Sequence, residues 1–443
     1  MVTEVLKPEN RYQSAFQAMR QGKPTVAWVE LVRESAMDRF ESLGFPTVKD
    51  EEWKYTNLAP LSKEDFSHVP QNSELTDKNI DRFLFPETID SHVVLVNGIL
   101  REDLSRKTKV EDVVVIDLLS AVADARYSKI VRNYLARNAN YHDRGLTALN
   151  TAFLQSGVFV LVPKNTKLAS PLQITYVADS TTVSSANFPR ALIVAEENSS
   201  ASVVERFVST GDQKTFTNAV IEVVVADGAR LEQIRLQQEH SQAFHVTTTA
   251  VELGRGSSYN ATSINLGGKL ARHDISVVMN HEGAECWVDG LYVVGDNQHT
   301  DTHSVIDHKQ PYCNSHQLYK GILDGNARAV FNGKVFVREG ALKTDALQTN
   351  KNLLLSPQAR VDTKPQLEIY ADDVKCAHGA AVGQLDQEEL FYLQTRGIDP
   401  DLGKRVLTYG FAEEVIGKIQ IESLRAQLDE AVLSRLHSEF RAN

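Results

Sequence analysis

Two side chains able to hold a soft or borderline metal stand two residues apart in the stretch Asp373-Val374-Lys375-Cys376-Ala377-His378-Gly379. In extended backbone, residues i and i+2 project to the same face, so the Cys376 thiol and the His378 imidazole can converge on one point. A thiolate with a neutral imidazole suits iron. The plain alternative is a buried thiol beside a hydrogen-bonded histidine. A second polar group comprises Asp296, His299, Asp301, His303, Asp307, His308, Cys313 and His316. Strand alternation puts His299, Asp301 and His303 on one face, either as metal ligands or as a polar strand at a subunit edge.

Other chemistries find no footing. Leu266-Gly267-Gly268-Lys269 and Asn332-Gly333-Lys334 contain a Gly-Lys pair without the Walker A spacing, so no ATP is expected to bind this chain itself. No Gly-x-Ser-x-Gly elbow occurs, and no Cys-x-x-Cys. The net charge of −11, from 47 basic and 58 acidic residues, disfavours nucleic acid or an anionic membrane as the main partner. Apolar runs such as Val158–Val162 are too short to span a bilayer. Met1–Asn10 is polar and acidic rather than signal-like, and the cysteine count is odd, at three. Both features read as reduced thiols in a cytoplasmic protein.

The elements that must position these residues fall into three regions. Residues 1–150 read as largely helical with some β structure. Ala27–Leu43 carries an apolar stripe at helical spacing and stops at Gly44, with a shorter helix expected over Asn10–Arg20. Glu51-Glu52-Trp53-Lys54-Tyr55-Thr56 reads as a docking edge with buried ring bodies and wet tips. Asp90–Leu100 reads as a hairpin turning at Asn97-Gly98, and Leu118–Ala136 returns to helical spacing.

Residues 151–385 are rich in Val, Ile, Thr, Tyr and Phe. Strand-like runs cover Val158–Val162, Leu172–Val177, Ala191–Ala195, Val220–Val225, Val246–Leu253, Ile275–Met279 and Val335–Val337. Polar turns followed by a small residue recur at Ala201, Ala229, Ser257, Ala284, Ala327 and Ala359, in steps of 28, 28, 27, 43 and 32. A period near 28 predicts a β-solenoid whose coils share one core, the longer steps being coils with insertions. A β-sandwich with coincident turns is the alternative.

Residues 386–443 read as three helices. Asp386 with Glu389 starts the first, Gly397 ends it, and Asp399-Pro400 opens the second. The third carries Ile421, Leu424, Leu428, Val432 and Leu436 at steps of three and four. Such a tail caps the solenoid or presents a docking surface, for which Leu407, Tyr409 and Phe411 are the candidates.

The string Cys376-Ala377-His378-Gly379-Ala380-Ala381-Val382-Gly383-Gln384-Leu385-Asp386 closely resembles the end of the SufB/SufD family of iron–sulfur assembly scaffolds. So do Glu389-Leu390-Phe391-Tyr392-Leu393, Glu51–Thr56, Leu318–Gly325 and Phe331-Asn332-Gly333-Lys334. It is similar to the SufD branch: the SufB branch would show Glu-His-Glu-Ala here and an amino-terminal cysteine, whereas no cysteine precedes Cys286. The family commonly has Ser or Thr at position 377 and Thr at 381, where this chain has alanine.

The resemblance implies a right-handed parallel β-helix between helical regions, acting as a non-enzymatic scaffold. It implies a heterodimer with SufB and a SufC ATPase docked on the carboxy-terminal helices, with a homodimer possible in isolation. Cys376 and His378 would then hold iron or a transient iron–sulfur cluster at the SufB interface. Sulfur would arrive on SufB, and ATP hydrolysis in SufC would pull that interface open. A β-helix enzyme acting on polysaccharide and a stand-alone metal-binding protein are the competing readings.

Overall fold

The computed structural model describes residues 8–21, 25–67, 73–107 and 112–438, without the side chains of 8–10 and 435–438. The acidic opening discussed above lies outside these residues as far as position 7, and the side chain of Leu436 lies outside them too.

The β-solenoid is present, and it has two faces. One sheet runs Leu172–Asp179, Ser200–Thr210, Arg230–Gln238, Ser258–Asn265, Glu285–Val294, Asn314–Leu323, Asp345–Leu354 and Lys375–Gly383, each strand parallel to the next. The second runs Val158–Val162, Arg190–Ala195, Thr215–Val225, Phe244–Leu253, Leu270–Met279, His299–His308, Arg328–Val337 and Arg360–Ile369. The chain alternates between them, so each coil gives one strand to each sheet. The shared apolar core lies between, from Val93 and Val115 at one end to Ala346 and Ala359 at the other.

Register partners in the first sheet fall at 200, 230, 258, 285, 314, 345 and 375, one coil apart each time. The 43-residue step from Ala284 to Ala327 is therefore not an inserted loop. Ala284 precedes a strand of the first sheet and Ala327 a strand of the second, and the buried turn residue one coil after Ala284 is Cys313. Small side chains fit both turns of a coil, and this merged two series into one.

The interior is not wholly apolar. Glu205 accepts from Tyr176 Oη at 2.8 Å and from Gln233, whose Oε1 accepts from Tyr259 at 2.7 Å. Burial raises the Glu205 carboxyl and lowers the His245 imidazole. Two tyrosines fit this narrow space because their register neighbours are glycines. A Cβ at Gly290 would collide with the Tyr319 ring, and one at Gly321 with the Tyr292 ring.

The amino-terminal region joins this stack. Its hairpin turns where expected, with Asn97 and Gly98 at positive φ, and His92–Val96 adds in parallel to Leu172–Asp179. Ala27–Leu43 is helical, and Gly44 at φ 64 ends it. Leu118–Ala136 divides into two helices, Leu118–Ala123 and Ser128–Tyr134, broken at Asp124. The loop after them is pinned by Glu222, which accepts from the backbone N–H of Ala136 (3.0 Å), Arg137 (3.2 Å) and Ala139 (3.1 Å), and also pairs with the fully buried Arg190.

The carboxy-terminal helices are Gln387–Thr395, Pro400–Ile416 and Glu422–Ser438. Asp386 and Asp399 cap the first two by accepting backbone N–H bonds. Ile421, Leu424, Leu428 and Val432 are buried against the outer face of the first sheet, with Ile234, Ile264 and Leu291.

Candidate functional site

Cys376 and His378 lie on Lys375–Gly383, the last strand of the first sheet. Parallel partners in register point the same way. Cys376 pairs with Ala346 and His378 with Gln348, both buried and facing the lumen. The two side chains therefore share the inward face, as their spacing requires. Yet only Cys376 on this strand is even half-buried, because no further coil follows. His378 sits at the open end of the stack.

The backbone there is open as well. Lys375 N–H donates to Thr344 O at 2.8 Å, so the odd-numbered residues of this strand face the preceding coil. Along a strand the N–H and C=O pairs alternate in direction, which leaves those of Cys376, His378, Ala380 and Val382 at the free edge. The second sheet ends differently. Tyr370 N–H donates to Val337 O at 2.8 Å, so odd positions face outward there, and Pro365 supplies no donor in the middle of that edge.

The donor set is incomplete. Burial raises the Cys376 thiol, the Asp345 carboxylate adds to this, and the Ala346 N–H opposes it. The group is thus a thiol that a cation would have to deprotonate. Among the described residues, no three His, Cys, Asp or Glu side chains gather as a metal site. Cys286 and Cys313 are buried and free; burial raises both thiols, and Cys313 Sγ donates to His281 O at 3.4 Å.

The second polar group is dispersed. His308 faces inward to Ser315 Oγ at 2.9 Å, Asp307 pairs with Arg338 at 2.8 Å, His316 stacks on Trp287 at 5.5 Å, and Asp296 occupies a turn at φ 50. His299, Asp301 and His303 do share an outer face. Their strand is paired on both sides, so it is not at a sheet edge. What covers it is the Glu51–Thr56 segment. Arg272 stacks on Trp53 at 3.7 Å and donates to Glu52 O at 2.7 Å, while buried Asp301 accepts from Arg272 at 2.8 Å and from Thr56. His303 bridges Glu52 (3.1 Å) and Asp301 (3.2 Å). This is an internal clip centred on Arg272, a residue that no local pattern singles out.

On the carboxy-terminal helices, Leu407, Tyr409 and Phe411 are half-buried. Phe411 lies under the Lys320 ammonium at 4.3 Å and packs on the core beneath the helices. Among the described residues of these helices, the most exposed apolar side chains are Phe391 (66 %), Tyr392 (57 %), Leu402 (50 %) and Val406 (45 %). The adjacent pair Phe391-Tyr392, with Leu390 taking the core face of the same helix, was the available signal.

Comparison with known proteins decides the family. The SUF system FeS cluster assembly SufBD core domain matches residues 176–411, and the SufBD protein N-terminal region matches residues 6–174. The chain belongs to the SufBD family. It is 34% identical over 413 residues to an iron-sulfur cluster assembly SufBD family protein of Synechocystis, covering 91% of this chain and 90% of that one. It is 34% identical over 399 residues to the iron-sulfur cluster assembly protein SufD of Escherichia coli, covering 89% and 90%. It is 30% identical over 456 residues to that of Bacillus subtilis, covering 96% and 97%. A SufBD role in iron–sulfur cluster assembly fits a solenoid with few local donors better than either competing reading. Among the described residues no helix is long and apolar enough to cross a membrane.

Proposed function

We propose that this SufBD chain is a scaffold supplying one half of an iron–sulfur assembly site. Iron or a nascent cluster is its cargo, not a resident cofactor. The observation carrying the reading is the uncovered last coil, which brings Cys376 and His378 to the open end of the lumen beside unpaired backbone. Two ligands leave iron's coordination unfinished, and a SufB chain adding its own strand along Lys375–Gly383 would complete both the sheet and the ligand set. Pro365 makes the other edge the poorer one for strand addition.

A SufC-type ATPase would dock on the exposed face of Gln387–Thr395 and Pro400–Ile416. Phe391, Tyr392, Leu402 and Val406 offer the aromatic and aliphatic anchors that protein interfaces favour. The second of these helices touches the first sheet through Lys320–Glu414, and the turn after it through Lys418–Asp289 at 2.7 Å, so a pull on them reaches the coils behind the site. The test is co-purification with SufB and SufC under anaerobic conditions, followed by iron and sulfide counts. Cluster bound in the complex and lost with His378→Ala supports the reading; full cluster content in that variant rejects it.

A further inference from the structure

The strand beneath the last one, Asp345–Leu354, turns three amides into the lumen, and two of them are fully engaged there. Asn350 Nδ2 donates to Tyr319 O at 3.2 Å, and its Oδ1 accepts from Asn352 Nδ2 at 2.7 Å and from Thr363 Oγ1 at 2.8 Å. Asn352 Oδ1 accepts from Tyr292. The third amide, Gln348, is used on one side only. Its Nε2 donates to Gln317 Oε1, one coil deeper, at 2.6 Å, whereas its Oε1 is buried and has no hydrogen-bond partner. Turning the amide over would set two carbonyl oxygens against each other. The side chain is wholly buried, and Gly333 makes the room for it: a Cβ there would stand 2.3 Å from Gln348 Nε2.

Gln317, Gln348 and His378 are successive partners in one inward column. Adjacent members of such a column stand about 4.8 Å apart, so the residue above the idle carbonyl is His378. A metal taken by one ring nitrogen leaves the proton on the other, and ligating histidines hand that N–H to an oxygen acceptor.

We infer that Gln348 is the positioning residue of the half-site: with iron on one nitrogen of His378, the other donates its N–H to Gln348 Oε1, which fixes the tautomer and the plane of the ring. The inference rests on the reading of Cys376 and His378 as ligands given above, and adds the residue that aims one of them. It also accounts for a buried carbonyl left idle, since such groups are nearly always paired.

The test uses the full chain, 15N-labelled at histidine and loaded with zinc(II) under reducing conditions, zinc serving as a diamagnetic stand-in for ferrous iron. His378→Ala identifies the His378 ring signals and the zinc binding that depends on them. In the parent, the His378 N–H should be protected from exchange with water. In Gln348→Met, which keeps the shape and loses the acceptor, that protection should vanish, and zinc affinity by chelator competition should fall about tenfold. Gln348→Glu, which keeps an acceptor, should restore both. A parent whose zinc-bound His378 shows no protected N–H overturns the inference, as does a Gln348→Met chain that melts like the parent and binds zinc equally. Either result, with zinc binding still lost in His378→Ala, leaves the scaffold reading standing. Unchanged zinc binding in His378→Ala would instead remove the ligand assignment, and the positioning role with it.

Discussion

His378 is a side chain that packing does not need. It is exposed on a strand with one neighbour, so His378→Ala should change stability by less than about 0.5 kcal/mol in urea titration while removing cluster from the assembled complex. The clip around Asp301 behaves in the opposite manner. Burial raises the Asp301 carboxyl, but Arg272 and His303 hold it well below the usual carboxylate range. A hydrogen bond from His303 chiefly holds Glu52 at about 2. Burial lowers His303, yet the charge and hydrogen bond of Asp301 together with the hydrogen bond to Glu52 offset it, and the net shift is upward from 6.5. The carboxylates thus add stability above their ordinary values of 3.8 and 4.5, lost as pH falls through their depressed ones. His303 adds stability below 6.5, lost as pH rises through its raised value. The clip's own contribution should therefore be greatest at mildly acidic pH and fade on the alkaline side, opposite in sign to that of His92, His245, His273, His299 and His308, which burial holds below 6.5. The melting-temperature difference between the parent and His303→Gln should accordingly shrink as pH rises; a difference independent of pH would assign the effect to packing. Strand alternation was enough to put His299, Asp301 and His303 on one face. Their partners Thr56 and Glu52 lie more than 240 residues away, and no local pattern reveals them.

At the scale of single elements, the last strand separates two proline substitutions one residue apart. Ala380→Pro removes an N–H from the free edge and should weaken pairing with a SufB chain about tenfold, with little change in melting temperature. Ala381→Pro removes an N–H that faces the preceding coil and should lower the melting temperature of the isolated chain. Equal effects of the two on pairing would argue against strand addition at this edge. On the helices, Phe391→Ser with Tyr392→Ser should reduce SufC-type ATPase affinity without loss of helix content, as measured by titration and circular dichroism. Phe411→Ala should instead lower the melting temperature, since that ring packs inward. The second-sheet strands were readable because Val220–Val225 and Val246–Leu253 are dense in β-branched residues. The first-sheet strands were harder. Arg230–Gln238 carries Glu232, Gln233, Arg235 and Gln237, three of them buried in a polar lumen that hydrophobic patterning does not anticipate.

For the whole molecule, a period near 28 revealed the stacking, although small residues at both turns of a coil hid the half-coil offset. The two ends of the stack are finished unequally. The first coil is closed by antiparallel strands, Ile99–Leu100 beyond one sheet and Val114–Asp117 beyond the other, and by helices packed outside. Such a molecule has graded resistance along its axis, because coils in a linear stack support only their neighbours. Deuterium should enter the amides of Arg360–Ile369 and Lys375–Gly383 first and those around Thr215–Val225 last. Docking a second solenoid on the bare coil would turn those early-exchanging amides into the middle of a longer rod, so a mass shift confined to the last coil would record assembly before any iron is present.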